Sequence, residues 1–142
     1  MKPRIARRHA RCQPRTGSRW KALLVVENLE GFQSCCDTLE EYGYRVRVCG
    51  SYQDGLRCLA DEVFDFVMVS QGSPKFEGSC VLKRVTETNR STPVLVVARS
   101  LDMGCYLEAM QLGAVDYLVE PLTASDICRV IENYRPYQSV AA

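Results

Sequence analysis

Phe64-Asp65-Phe66-Val67-Met68-Val69-Ser70 runs directly into Gln71-Gly72-Ser73-Pro74-Lys75-Phe76-Glu77-Gly78. An apolar run of strand length that gives way to a loop with proline and glycine predicts a buried strand, Phe64 to Val69, ending at a polar turn. Working outward, Ala22-Leu23-Leu24-Val25-Val26 and Pro93-Val94-Leu95-Val96-Val97-Ala98 are runs of the same kind. Their unbroken apolar character fits strands covered on both faces. Arg45-Val46-Arg47-Val48-Cys49 alternates instead, as a half-exposed edge strand does, and Val115 to Val119 supplies a fifth strand.

Helical spacing fills the gaps between these runs. Leu29, Phe32, Cys36 and Leu39 mark a first helix that stops near Gly43. Ser51 can cap a second, carrying Leu56, Leu59 and Val63. Val81, Leu82 and Val85 mark the third, and Met103, Leu107 and Met110 the fourth, which ends before Gly113. Thr123 can cap the last, where Ile127, Val130, Ile131 and Tyr134 recur at i, i+3, i+4 and i+7. Five alternations of strand and helix predict an α/β domain with a parallel sheet covered on both faces and right-handed crossovers. Strand order does not follow from this pattern.

The 142 residues suffice for one domain with a core. Charge is distributed unevenly. Residues 1–19 hold seven cations (Lys2, Arg4, Arg7, Arg8, Arg11, Arg15, Arg19) and no acid, whereas the remainder carries 11 cations against 17 acids. The expected organisation is a basic disordered tail over 1–19, a domain over 20–136 and a short C-terminal tail over 137–142. Three readings of the basic tail stand open: a solubilising extension, non-specific contact with nucleic acid, or contact with an acidic protein or membrane surface. It lacks interleaved aromatics for base stacking, so nucleic acid is not the expected partner. No secretory signal and no membrane span is expected, and Arg7-Arg8 lacks the apolar segment of an export address.

Eight cysteines are spread along the chain without a Cys-x-x-Cys pair, and His9 is the single histidine. A zinc site has little support. The cysteines read as small buried hydrophobes in a cytoplasmic protein, with the adjacent Cys35-Cys36 as a lesser redox candidate.

Glu108-Ala109-Met110-Gln111-Leu112-Gly113-Ala114-Val115-Asp116-Tyr117-Leu118-Val119-Glu120-Pro121-Leu122 resembles the run through fourth helix, fifth strand and following proline of CheY-like response-regulator receiver domains. Ala22 to Asn28 resembles their first strand with its acidic pair. The resemblance covers residues 21–136 and implies a flavodoxin-like (βα)5 three-layer sandwich with strand order 2-1-3-4-5. It places a site at the carboxyl ends of the strands. It also implies a cis bond before Pro121, a switch-like aromatic at Tyr117, and a partner or dimer face on the fourth helix, fifth strand and fifth helix, with Tyr106, Gln111, Tyr117, Arg129 and Glu132 on it.

The family pattern has two acids holding Mg²⁺, a phosphoacceptor aspartate, a hydroxyl residue and a lysine. The matching positions here are Glu27 and Asn28, Ser70, Ala98 and Glu120. Mg²⁺ wants hard anionic oxygens, and Glu27 is the one acid left for it, so metal binding is expected weak or absent. Ser70 is a poor nucleophile without a base, and cannot form an acyl phosphate. Ala98 offers no hydroxyl. Glu120 opposes a phosphoryl group, since like charges about 4 Å apart repel by on the order of 1 kcal/mol even in water. Glu120 either faces solvent or pairs with Arg99; Ser70 is a small polar strand end or a kinase substrate; Tyr117 packs or switches.

The expectation is a stand-alone pseudo-receiver, not an enzyme and without a cofactor, with no output domain after Pro136. It would act in two-component phosphorelay signalling by binding a protein, a histidine kinase or another component, or a second copy of itself. The alternatives are a working but atypical phospho-receiver and a nucleic-acid-associated protein acting through the tail.

Overall fold

In the computed structural model the described residues are 20–134. Both tails, with His9, Cys12 and Pro136, lie outside them. Five strands form one parallel sheet: β1 (Trp20–Val25), β2 (Tyr44–Cys49), β3 (Phe66–Ser70), β4 (Val94–Ala98) and β5 (Asp116–Val119). Their order is β2-β1-β3-β4-β5, the one the resemblance implied. The connecting helices are α1 (Gln33–Glu41), α2 (Tyr52–Asp61), α3 (Ser79–Thr88), α4 (Met103–Gln111) and α5 (Ala124–Tyr134).

Alternation along the central strands distributes side chains between two cores. Leu23, Val25, Val67, Val69, Val94 and Val96 join Cys58, Val81, Leu82, Val85, Cys105 and Ala109 from α2, α3 and α4. Ala22, Leu24, Phe66, Met68, Leu95 and Val97 face the other way, onto Cys35, Cys36 and Leu39 of α1 and Ile127, Val130 and Ile131 of α5. Leu23, Leu24, Met68 and Val96 are each 0% exposed, which accounts for the unbroken apolar runs of β1, β3 and β4.

Local signals set the helix ends. Ser51 Oγ accepts from Asp54 N–H at 3.1 Å to start α2. Before α5, Thr123 Oγ1 accepts from Asp126 N–H at 3.1 Å while the Asp126 carboxylate accepts from Thr123 N–H at 3.0 Å, a reciprocal cap. Beyond α1, Gly43 takes φ +96°, the left-handed conformation that ends a helix without a Cβ penalty.

Several expectations are corrected. β3 begins at Phe66, because the two residues before it are held by side chains: Thr92 Oγ1 donates to the Phe64 carbonyl at 2.9 Å, and the Asp65 carboxylate accepts from Lys21 N–H at 2.8 Å. Leu29 to Phe32 is a 3₁₀ turn, with Asn28 Oδ1 accepting from Glu30 N–H at 3.0 Å, and Leu29 is exposed. Val63 lies beyond the end of α2 and is 67% exposed. On α4 the residues that mark the helix, Met103, Leu107 and Met110, face solvent, and Cys105 and Ala109 face the sheet. The helix carries two apolar stripes, and the one with small side chains is the one turned onto the sheet.

At the β2 edge, Glu62 accepts from Lys21 Nζ at 3.0 Å and from Arg47 Nη1 at 2.7 Å. The Lys21 hydrogen bond, with both cations, lowers the Glu62 pKa. Stabilisation from a lowered carboxylate is present above the unfolded pKa and is lost as pH falls through the folded one. Glu62→Gln is therefore expected to cost at most about 1 kcal/mol at neutral pH. The difference from wild type should close in strongly acidic buffer. Urea unfolding at the two pH values checks this.

Candidate functional site

Parallel pairing brings the carboxyl ends of the strands to one edge. Val25 is in register with Val69, Ser70 with Val97, and Ala98 with Val119. Glu27, Ser70, Ala98 and Glu120 consequently share that edge, although they lie far apart in sequence. Their environments differ. Glu27 and Asn28 are exposed, Ser70 and Glu120 half-buried, and Ala98 buried. Asn28 is committed to capping the turn that follows it. Glu120 N–H donates to the Ala98 carbonyl at 2.8 Å, and the Glu120–Pro121 bond is cis.

Arg99 reaches Glu27 rather than Glu120, with Nη2 to Oε1 at 3.9 Å and both side chains mostly exposed. An open pair of this kind holds the loops loosely. A cleft of about 190 Å³ lies beside it, lined by Val25, Val26, Glu27, Gly50, Ser51 and Tyr52. Among the described residues no three of His, Cys, Asp and Glu gather as a metal cluster.

The loop after Ser70 is closely knit. Gly78 passes so near β3 that a Cβ there would sit 2.1 Å from the Ser70 carbonyl oxygen, which backbone cannot yield. Tyr52 Oη donates to that same carbonyl at 2.9 Å. The Glu77 carboxylate accepts from Ser73 N–H at 2.7 Å and from Ser73 Oγ at 2.8 Å, which lowers its pKa, the backbone hydrogen bond from Ser73 first. Phe76, buried at 2% exposure, takes φ 60°, a left-handed conformation that a bulky residue holds only when its surroundings demand it.

Gln71 connects this loop to β5. Its side-chain Oε1 accepts from the Tyr117 hydroxyl, and both residues are buried. Tyr117 Oη in turn accepts from Asp102 N–H at 3.3 Å, and Asp102 Oδ1 accepts from Cys105 N–H at 3.0 Å, capping α4. Burial raises the Tyr117 pKa, so the phenol remains a neutral donor. The Tyr106 ring meets Tyr117 edge-on, centroids 5.6 Å apart at 80°. Cys105 Sγ adds a contact to the Pro74 carbonyl at 3.4 Å. The start of α4 is thereby tied to the loop after Ser70 at several points.

The residues expected on the partner face do not all lie together. Tyr106 and Tyr117 touch. Gln111 lines an open cleft of about 580 Å³ with Thr86, Glu87, Arg90, Leu112 and Gly113, at the opposite edge of the sheet from Ser70. Arg129 pairs with Asp126 of its own helix at 3.5 Å. Glu132 accepts from Tyr42 Oη at 2.7 Å, on the side of α5 that meets the end of α1. Exposed apolar side chains mark the outer face of α4 and its surroundings: Leu101, Met103, Leu107 and Met110, with Val119 at the end of β5. Tyr52, Gln71 and Asp102 escaped the sequence reading. Tyr52 and Gln71 act through long-range contacts with no periodic signature, though polar Gln71 directly after a buried strand is a usable cue, as is Asp102 as the N-cap of α4.

A family model described as response regulator receiver domain matches residues 23–132. The transcriptional regulatory protein ZraR of Escherichia coli K12 is 29% identical over 94 residues, which is 66% of this chain and 21% of that protein. DltR of Streptococcus agalactiae serotype III is 30% identical over 106 residues, 74% of this chain and 47% of that protein. The chain thus spans less than half the length of either relative. Among solved structures, a CheY-like receiver domain protein from Methanospirillum hungatei superposes with TM-score 0.76 at 20% identity, covering 88% of this chain and all of that one. A receiver domain protein from Clostridium thermocellum gives 0.73 at 25% identity, covering 87% of this chain and all of that one.

Gln71→Leu removes the acceptor for a buried phenol and is expected to destabilise by about 1–3 kcal/mol. Denaturant titration gives the cost, and the Tyr106 and Tyr117 ring resonances should shift together.

Proposed function

The chain belongs to the response regulator receiver domain family of two-component signalling, and from that premise we propose that it is a pseudo-receiver. It carries out no phosphotransfer, and acts in the cytoplasm by binding a protein partner, a histidine kinase or another signalling component. The observation that carries this reading is the hydroxyl of Ser70 at the end of β3, where the family's chemistry needs a carboxylate. A serine hydroxyl cannot form the acyl phosphate, and the chain's single histidine, His9, lies outside the described residues.

The neighbouring positions support it. Mg²⁺ binding is weak or absent because Glu27 is the one acid remaining of the family's set, and Arg99 stands beside it. Ala98 has no hydroxyl for a phosphoryl oxygen, and Glu120 would repel one. Tyr117 is already held inward by Gln71 and Asp102, so no ligand is needed to place it. A ligand shifts an equilibrium only by its differential contacts with the two states, and none remain here. The partner contacts the outer face of α4 and the adjoining end of β5, where exposed methionine and leucine side chains offer an adaptable apolar surface.

With acetyl phosphate and Mg²⁺, wild type is expected to show no gain of a phosphoryl group by intact mass and no change in its amide spectrum. Ser70→Asp alone should not restore switching. The combination of Ser70→Asp, Asn28→Asp, Ala98→Thr and Glu120→Lys is the variant expected to recover it. A hydroxylamine-sensitive adduct on wild type would instead make the protein an atypical phospho-receiver. So would a phosphodonor-dependent change in partner affinity of tenfold or more, about 1.4 kcal/mol.

Met103→Glu with Leu107→Glu should abolish partner capture, or self-association if the partner is a second copy. Stability should stay within about 0.5 kcal/mol of wild type, because both side chains are exposed. Pull-down, sedimentation and thermal unfolding of the same variant separate these outcomes.

A further inference from the structure

We propose that Cys49 and Cys58 are a built thiol pair that closes to a reversible intramolecular disulfide. Their sulfurs lie 3.3 Å apart in the core, and each residue is 6% exposed. Cys49 is the last residue of β2, and Cys58 lies two turns into α2. The Ser51 cap fixes the reversal between them, so that both sulfurs enter the same apolar cluster. A disulfide bond is about 2.05 Å long, so closure requires roughly 1 Å of approach between groups already in contact. This inference is independent of whether the domain is phosphorylated.

The chemistry balances with a small dialkyl disulfide as oxidant. One cysteine thiolate attacks it and expels a thiolate, leaving a mixed disulfide. The second cysteine then attacks the protein-bound sulfur and expels the other half. Two S–H bonds are lost and one S–S bond forms in the protein, while the oxidant's S–S bond is reduced to two thiols that take up the two protons. Burial, reinforced by the hydrogen bond with Cys58, pushes the Cys49 thiol up to about 12. At neutral pH Cys49 therefore rests as a thiol in S···S contact with Cys58, and closure through it is slow. The ten-residue segment it would close contains Gly50, Ser51 and Tyr52, which line the cleft beside Glu27, and Tyr52 also holds the Ser70 carbonyl. Oxidation would clamp one wall of that cleft.

The test uses the full chain with Cys12→Ser and Cys80→Ser, which removes a tail thiol and an exposed one. It is incubated with hydroxyethyl disulfide or, in parallel, with dithiothreitol. The expected result is a loss of two hydrogens by intact mass, a cross-link mapped to the peptides containing Cys49 and Cys58, and reversal by dithiothreitol. The oxidised form should melt higher by about 5 °C, as closing a short loop restricts the unfolded chain. Cys49→Ala and Cys58→Ala, made separately, should each abolish both changes, and either one that folds by circular dichroism suffices. Three results overturn the proposal: no cross-link on the folded chain under conditions that oxidise it in urea, a cross-link between other cysteines, or an oxidised form that melts lower.

Discussion

Burial of β1, β3 and β4 on both faces is the constraint from which the rest follows. A strand covered above and below can carry no polar side chain along its length, so polar groups are displaced to its ends. Parallel pairing then gathers all the carboxyl ends at one edge, and Glu27, Ser70, Ala98 and Glu120 meet there whatever their chemistry. The arrangement of the site belongs to the sheet, while its reactivity belongs to a few end residues. Glu27, Ser70 and Glu120 lie outside the buried core, whereas Ala98 belongs to it through its methyl group. The receiver scaffold therefore stands whichever side chains occupy those strand ends.

The loop after β3 carries the other half of this separation. Tyr117, Gln71, Asp102 and Cys105 make a connected set of contacts between β5, that loop and the start of α4. Nothing in it involves Ser70's hydroxyl or Glu120's carboxylate. Gly78 and Tyr52 fix the same loop against β3 through the Ser70 carbonyl, a backbone group that any residue at position 70 would supply. The geometry around the position is thus maintained by main chain and by neighbours.

The sequence made the fold legible because burial writes periodicity directly. Unbroken runs marked the three inner strands, alternation marked β2, and Ser51, Thr123 and Gly43 marked helix ends with a stated mechanism. Strand order came from resemblance, since periodicity says nothing about neighbours. On α4, Met103, Leu107 and Met110 mark the helix by their spacing, but only packing reveals that Cys105 and Ala109 take the inner side. Of the two readings of Glu120, facing solvent or pairing with Arg99, the pair is not formed, because the long Arg99 side chain reaches Glu27 across the loops instead. Glu132 was placed with the outer face by resemblance, yet Tyr42 at the end of α1 claims it. Contacts of this sort depend on loop paths and rotamers, which leave no trace in residue spacing.

The two borders of the sheet have a bearing on how the protein behaves when crowded. A bordering strand exposes a row of unpaired amides and carbonyls that can template growth with another chain. β2 is such a strand, and it presents Arg45 and Arg47 to solvent, the latter anchored by Glu62. At the opposite border β5 is four residues long and begins with Asp116. Positive charge on one rim and brevity on the other discourage sheet-to-sheet stacking. Both borders also carry an exposed apolar side chain, Val48 on β2 and Val119 on β5, so charge and brevity are what guard them.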